Sequence, residues 1–206
     1  MKEKKGKEDI IKHFKQLVLK EDKKGTKIFG WGSRKSQYDR FDVIIDIGDF
    51  NNKSVLDVGC GTGDFYNYLL KRGFRNFHYK GIDISPEMIA VAKGKRYKGA
   101  KFVLKDVDEV EKGYDFVVAS GAFNILIDNN WDFLIKRIKI MFKIAKIGIS
   151  FNLLSDYADK EFIKRDKGKI CYYNPVKILD FCMKLSRKVV LKHNYMPNDF
   201  TIYLYK

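Results

Sequence analysis

The sequence is short of several features that would place it in common protein classes. Only three cysteines occur, Cys60, Cys171 and Cys182, an odd number with no C-x-x-C pair. That excludes a disulfide framework and a zinc knuckle, leaves no metal site to expect, and fits a reducing cytoplasm. No stretch approaches the roughly 18 consecutive apolar residues of a membrane helix. The opening MKEKKGKEDIIKHF lacks the apolar run and small-residue cleavage site of a signal peptide. A soluble, unexported protein is the expectation. There is no internal repeat and no composition shift marking a boundary, so residues 1–206 are expected to form one domain. Within it, 1–52 form an N-terminal helical cap and 53–206 an α/β core.

Acidic charge is also scarce: 41 Lys and Arg stand against 26 Asp and Glu, a net charge of +15. A basic chain attracts polyanions, and RNA is the obvious one. The excess is uneven, about +5 over residues 1–53, +2 over 54–126 and +8 over 127–206. The middle is nearly neutral. Lysine-heavy leaders such as KEKKGKE serve solubility more often than binding.

What is present in quantity is apolar material, 45% of the residues and 15% aromatic, enough for one core. Short β-rich runs alternate with amphipathic segments. SVLDVG, FHYKGIDI, KFVLKD, YDFVVAS, IGISFNLL, KVVLKH and FTIYLYK read as seven strands. Helical patterns lie between them: DFYNYLLKRG, PEMIAVAKGK with Ser85 as cap and Pro86 in its first turn, and WDFLIKRIKIMFKIA. Strand, helix, strand is the rhythm of a doubly wound, mostly parallel sheet. The last two strands are joined by NYMPND, too short for a crossover, and are expected to pair antiparallel. Upstream, helices are expected around residues 10–19 and 38–47, with a polar break at EDKKGTK between them. Trp31 suits packing as well as ligand contact.

The chemistry centres on VLDVGCGTGDF, residues 55–65. A glycine-rich turn directly after an apolar strand lets backbone N–H groups approach a ligand closely. A P-loop needs Lys and then Ser or Thr after the last glycine; here Gly63 precedes Asp64. A dinucleotide site wants GxGxxG with no acid crowding the pyrophosphate, so NAD or FAD takes second place. A cationic or zwitterionic ligand suits Asp57 and Asp64 flanking the loop. Asp83, twenty residues after Gly63, ends the second strand, where a carboxylate can accept from both ribose hydroxyls. At a strand tip, its removal is expected to spare the fold. Asp106 ends the third strand, a candidate acceptor for an adenine amino group, with Asp108 and Glu109 as competitors.

In order and spacing, VLDVGCGTGDF, GIDIS, LKDV and YDFVVASGAF resemble the motif series of class I S-adenosylmethionine-dependent methyltransferases. The resemblance covers about residues 53–155, and VVLKH with FTIYLYK is similar to that family's antiparallel seventh strand. It implies that S-adenosylmethionine is the cofactor. By position, Gly59, Cys60 and Gly61 would line it, with Asp57 fixing the loop and reaching the amino group. Asp83 would take the ribose, Ile84 would pack on the adenine face, and Asp106 with Val107 would meet its edge. Ser120 and Gly121 would pass beside the methionine moiety. FGWGSRKSQYDRF resembles a cofactor-covering segment, in which Arg40 either pairs with the methionine carboxylate or is a solvated helix arginine.

Methyl transfer from a sulfonium can rest largely on positioning, and a base is needed only for a protic acceptor. Of the three histidines, His13 is expected at the surface and His78 in a structural role. His193, at the end of the sixth strand, is the candidate substrate-side base. The family's nucleobase-amine enzymes carry an Asn/Asp-Pro-Pro-aromatic motif after the fourth strand, where this chain has SGAFN. That departure disfavours such acceptors. Phe123, Asn124, Tyr172 and Tyr173 are candidates to wall the acceptor pocket. The expectation is methyl transfer to a small molecule. Alternatives are an RNA or ribosome methyltransferase, on the positive charge, and an inactive cofactor-binding partner protein.

Overall fold

A computed structural model describes residues 2–24, 32–166 and 168–206. Trp31 and the rest of 25–31 lie outside them. In chain order the elements are α1 (Lys2–Lys24), α2 (Arg34–Ile45), β1 (Ser54–Val58), α3 (Asp64–Lys71), β2 (His78–Asp83), α4 (Pro86–Gly94) and β3 (Ala100–Leu104). After a 3₁₀ turn at Val107–Glu109 come β4 (Tyr114–Ala119), α5 (Asn130–Ile144), β5 (Ala145–Leu154), α6 (Lys160–Arg165), α7 (Pro175–Met183), β6 (Val189–Lys192) and β7 (Asp199–Tyr205). No described helix is long and apolar enough to cross a membrane.

The seven strands form one sheet in the order β3-β2-β1-β4-β5-β7-β6. Pairing is parallel except that β7 runs antiparallel to both β5 and β6, as the short NYMPND connection requires. Strand residues alternate between the two faces. Accordingly Leu56, Val117 and Ile149 join one apolar cluster, while Val55, Phe116 and Val118 join the other with Phe41 of α2. The chain winds outward through β2 and β3 on one side of β1 and through β4 and β5 on the other. Their divergence opens a crevice at the carboxyl ends of β1 and β4, where ligands bind in open α/β sheets.

The N-terminal part differs from the sequence expectation. α1 is helical from Lys2 to Lys24, so the basic leader and the start of the expected polar break are helix. Lysine and glutamate are good helix formers, and Ile10, Phe14, Leu17 and Val18 make one apolar stripe that packs against the sheet and Met88 of α4. Local caps set the other starts. The Ser85 hydroxyl accepts from Met88 N at 3.3 Å, and Asn174 caps α7 ahead of Pro175. α6 has no counterpart in the sequence reading.

Candidate active site at the carboxyl ends of the strands

A cavity of about 560 Å³ fills the crevice, bounded by the glycine loop, the ends of β2 to β5, the Met196–Asn198 turn, α6 and one face of α1. Its size is within the range of small-ligand sites.

The glycine loop is built for close approach. Gly59 and Gly61 have φ of 69° and 52°, the left-handed region that glycine alone enters cheaply. A Cβ on Gly59 would lie 2.5 Å from that of Ala122, whereas one on Gly61 would meet nothing within 4 Å, because that position faces the cavity. The N–H groups of Gly59 and Cys60 both donate to Ile82 O, at 2.8 and 3.0 Å. This pins the loop to β2.

Asp83 has two tasks. Its carboxylate accepts from Gly61 N at 2.9 Å and from Ser85 N at 2.8 Å, so it ties the loop to the start of α4 while lining the cavity. Burial pushes its pKa up against those bonds. The expectation that its removal spares the fold is corrected: a strand-tip acid normally faces water, but this one is buried and holds two backbone N–H groups. Asp57 accepts from the Tyr79 hydroxyl, and burial pushes its carboxyl up to about 7, the Tyr79 bond opposing and Asp83 reinforcing the rise.

The other expected acids are compensated by cations. Asp64 is paired with Lys95 at 2.7 Å and Arg34 at 3.3 Å, so it adds no uncompensated charge at the loop. Asp106 lines the cavity, but its carboxylate meets Lys7 of α1 at 2.6 Å and Arg137 of α5 at 3.1 Å. Despite burial, those partners hold its pKa below the usual carboxylate value. Ile84 and buried Val107 line the same end of the cavity.

Beyond β4, Gly121 N donates to Asn152 Oδ1 at 2.9 Å, and Asn152 Nδ2 donates to Asp199 Oδ1 at 2.8 Å. Asp199 in turn receives Nε of Arg40 at 2.8 Å and a second close guanidinium contact. Arg40 lines the cavity but is only 7% exposed. It is therefore not a solvated helix arginine, because α2 packs its face on β7. Ser120 also lines the cavity, and its Oγ is buried without a hydrogen-bond partner among the described residues.

Of the acceptor-side candidates, Phe123 and Asn124 line the cavity. Asn124 also stitches the wall, its side-chain oxygen accepting from Leu154 N at 3.2 Å. Tyr173 does not line it; the hydroxyl donates to Phe123 O at 2.7 Å, so it buttresses the wall from behind. Tyr172 donates to Asp166 at 2.8 Å. His193 is corrected: it sits between the Tyr157 and Phe200 rings, outside the cavity, because β6 is the edge strand and β7 intervenes. His78 is exposed at the opposite end of β2. His13, expected at the surface, lines the cavity instead, its pKa lowered by burial and then by the Lys169 charge. The helical spacing of Ile10, His13 and Phe14 was the available signal. Asn152, Asp199 and Arg137 gave none, since each matters through a distant partner.

These residues fit a zwitterionic, sulfonium-bearing nucleoside. Asp57 and Asp83 offer negative charge with no ion pair among the described residues, Gly61 leaves space where any side chain would project, and the Ser120 hydroxyl lacks a partner. A glycine loop after β1, an acid at the end of β2 and a cavity at the switch point mark a nucleoside-binding site on a doubly wound sheet. The Methyltransferase domain family matches residues 55–143. A Mycobacterium tuberculosis protein named as a methyltransferase, Rv1506c, is 35% identical over 161 residues, 74% of this chain and 93% of that one. Malonyl-[acyl-carrier protein] O-methyltransferase 1 of Ilyobacter polytropus is 33% identical over 99 residues, 46% of this chain but 36% of that protein. In fold, the chain is similar to magnesium protoporphyrin IX methyltransferase of Synechocystis, solved with bound SAH, at TM-score 0.68 and 13% identity over 97% of this chain and 99% of that one. The chain belongs to the class I S-adenosylmethionine-dependent methyltransferases.

Proposed function

We propose that this protein methylates a small-molecule acceptor, using S-adenosylmethionine bound in the cavity described above. The observation that carries the reading is the roof: Ile10, His13 and Phe14 of α1 and Phe162 of α6 enclose a volume suited to a cofactor and a small acceptor rather than an open platform. Asp83 takes the ribose hydroxyls, Ile84 packs on the adenine face with Val107 at its edge, and the Gly59–Gly61 backbone with Asp57 and Ser120 receives the methionine part. Bound there, the cofactor supplies an activated methyl group. The chain's contribution is alignment and exclusion of water, which together account for much of the barrier reduction in such displacements. A protic acceptor would pass its proton to His13 or to solvent.

Calorimetric titration with S-adenosylmethionine, its demethylated product and NAD tests this. Micromolar binding of the first two with silence from NAD is the expected outcome. Binding of NAD alone would overturn it. RNA is the alternative acceptor suggested by the +15 charge; it requires an affinity for RNA that falls steeply with salt. The inactive-partner alternative requires cofactor binding without transfer to any acceptor.

A pH dependence follows from Asp57. With its folded pKa raised to about 7 from 3.8, the native state keeps a proton that the unfolded chain has released between those values. Stability from this group therefore falls as pH rises through that window and levels off above it. A cationic ligand favours the ionised carboxylate, so its affinity moves the other way. Binding of S-adenosylmethionine should tighten between pH 6 and 8, approaching about tenfold per pH unit below the Asp57 pKa if one proton is released. Titration at both values in buffers of differing ionisation heat measures that proton; a flat profile rejects the coupling.

A further inference from the structure

α1 crosses the crevice and is fastened on both banks. At its start it meets the segment between β4 and α5, where Lys5 pairs with Asp128 at 3.1 Å and buried Gly6 lies against Ile127. About 18 Å further along the axis, at roughly 1.5 Å per residue, Val18 is buried with Met88 of α4, beyond β2. Between those anchors Ile10, His13 and Phe14 line the cavity. The helix is thus a strap held near its two ends.

The polar fastenings are unequal. Lys5 and Asp128 are 64% and 60% exposed, and such pairs contribute little. The clasp is Lys7, whose ammonium meets Asp106 at 2.6 Å and Asp108 at 3.3 Å in a largely buried setting. Both carboxylates also face cations of α5, with Arg137 3.1 Å from Asp106 and Lys136 3.0 Å from Asp108. Asp106 follows β3 and borders the cavity, so the strap is clasped to the wall of the site itself. Gly6 serves the same seat. Glycine is a poor helix former, yet a Cβ there would lie 3.0 Å from Ile127 Cδ1, so the bare position lets α1 sit flush on the segment beyond β4. We propose that α1 is a cofactor-retaining strap: it lifts for S-adenosylmethionine to enter and for SAH to leave, and the Lys7 clasp on Asp106 and Asp108 sets how long the ligand stays. This rests on the cofactor reading of the cavity and adds a conformational step to it.

Release of tritiated SAH into an excess of unlabelled SAH, measured on the full chain and its variants, is the test. Gly6→Cys/Ile127→Cys staples the strap, since a Cβ at position 6 lies 3.6 Å from that of Ile127, within the range a disulfide spans. Loaded with SAH and then oxidised, this variant is expected to release the ligand at least about tenfold more slowly than the same protein reduced, the kinetic weight of the seat it locks. Gly6→Cys alone, the control for pairing with the natural cysteines, should show no redox effect. Lys7→Met keeps the apolar stem and drops the charge. Its release is expected to quicken about tenfold, the equivalent of one charge-assisted bond, while Lys5→Met should leave the rate unchanged. Equal release from the oxidised and reduced forms, a staple that does not form, or a Lys7→Met rate equal to that of the wild type would overturn the proposal. A wild-type chain that does not bind SAH would overturn the cofactor reading itself, and the strap's role with it.

Discussion

Arg40→Ala is expected to destabilise the fold by about 3–5 kcal/mol, the cost of leaving a buried charge without its partner. Asp199 is fully buried and Arg40 nearly so, and two guanidinium contacts join them. Truncating the arginine leaves the carboxylate, held between β5 and the turn before β7, without its cation. The consequence should reach the site, since Asp199 orients Asn152 and Asn152 holds Gly121 N. Urea denaturation reads the first effect as a lower midpoint at unchanged slope. The second should appear as weakened SAH affinity in the fraction that remains folded. An Arg40→Leu/Asp199→Leu double variant is the control: with both charges removed it should be markedly more stable than Arg40→Ala. A single variant as stable as the wild type would mean that the pair is not held as described.

Asp83→Ala is expected to weaken S-adenosylmethionine and SAH together by about 1.5–3 kcal/mol, the loss of hydrogen bonds to a charged group. That is roughly a tenfold to hundredfold change in Kd. A stability loss of about 1–3 kcal/mol should accompany it, because the N–H groups of Gly61 and Ser85 lose their buried acceptor. Asp83→Asn separates the two effects. One amide oxygen can still serve one of the N–H groups, so stability should recover partly, while the lost charge keeps ribose binding weak. Calorimetry on both variants, with thermal unfolding run in parallel, gives the comparison. Unchanged affinity in both would remove Asp83 from the ribose role.

The two residues differ in how visible they are before folding is considered. Asp83 announces itself, because an acid at the end of the second strand follows a glycine loop at a set interval, and both ends of that interval belong to one strand-helix-strand unit. Its second task, tying Gly61 to Ser85, was hidden. The interval shows where the acid is but not that the loop turns its N–H back onto it. Arg40 was visible only as an arginine on a helix near a cofactor segment. Its partner lies 159 residues away, and no local pattern pairs a position on α2 with the first residue of β7. The same holds for His13 and His193. Each follows a lysine near the end of an apolar pattern, and which one reaches the cavity depends on how α1 crosses the sheet ends and on β7 lying between β6 and the rest.

The sequence by itself determined the strand-and-helix alternation, the antiparallel last pair, the glycine loop and the family, because each is a short-range pattern. Apolar periodicity, the left-handed backbone that only glycine allows cheaply, and a connection too short to cross over are all physical constraints within a few tens of residues. Only the tertiary structure decided that Asp64 and Asp106 are paired with cations while Asp57 and Asp83 are not, and that α1 and α6 border the cavity. Charge balance in a cavity is a sum over groups from every element that borders it. Its value is set where the chain folds back on itself.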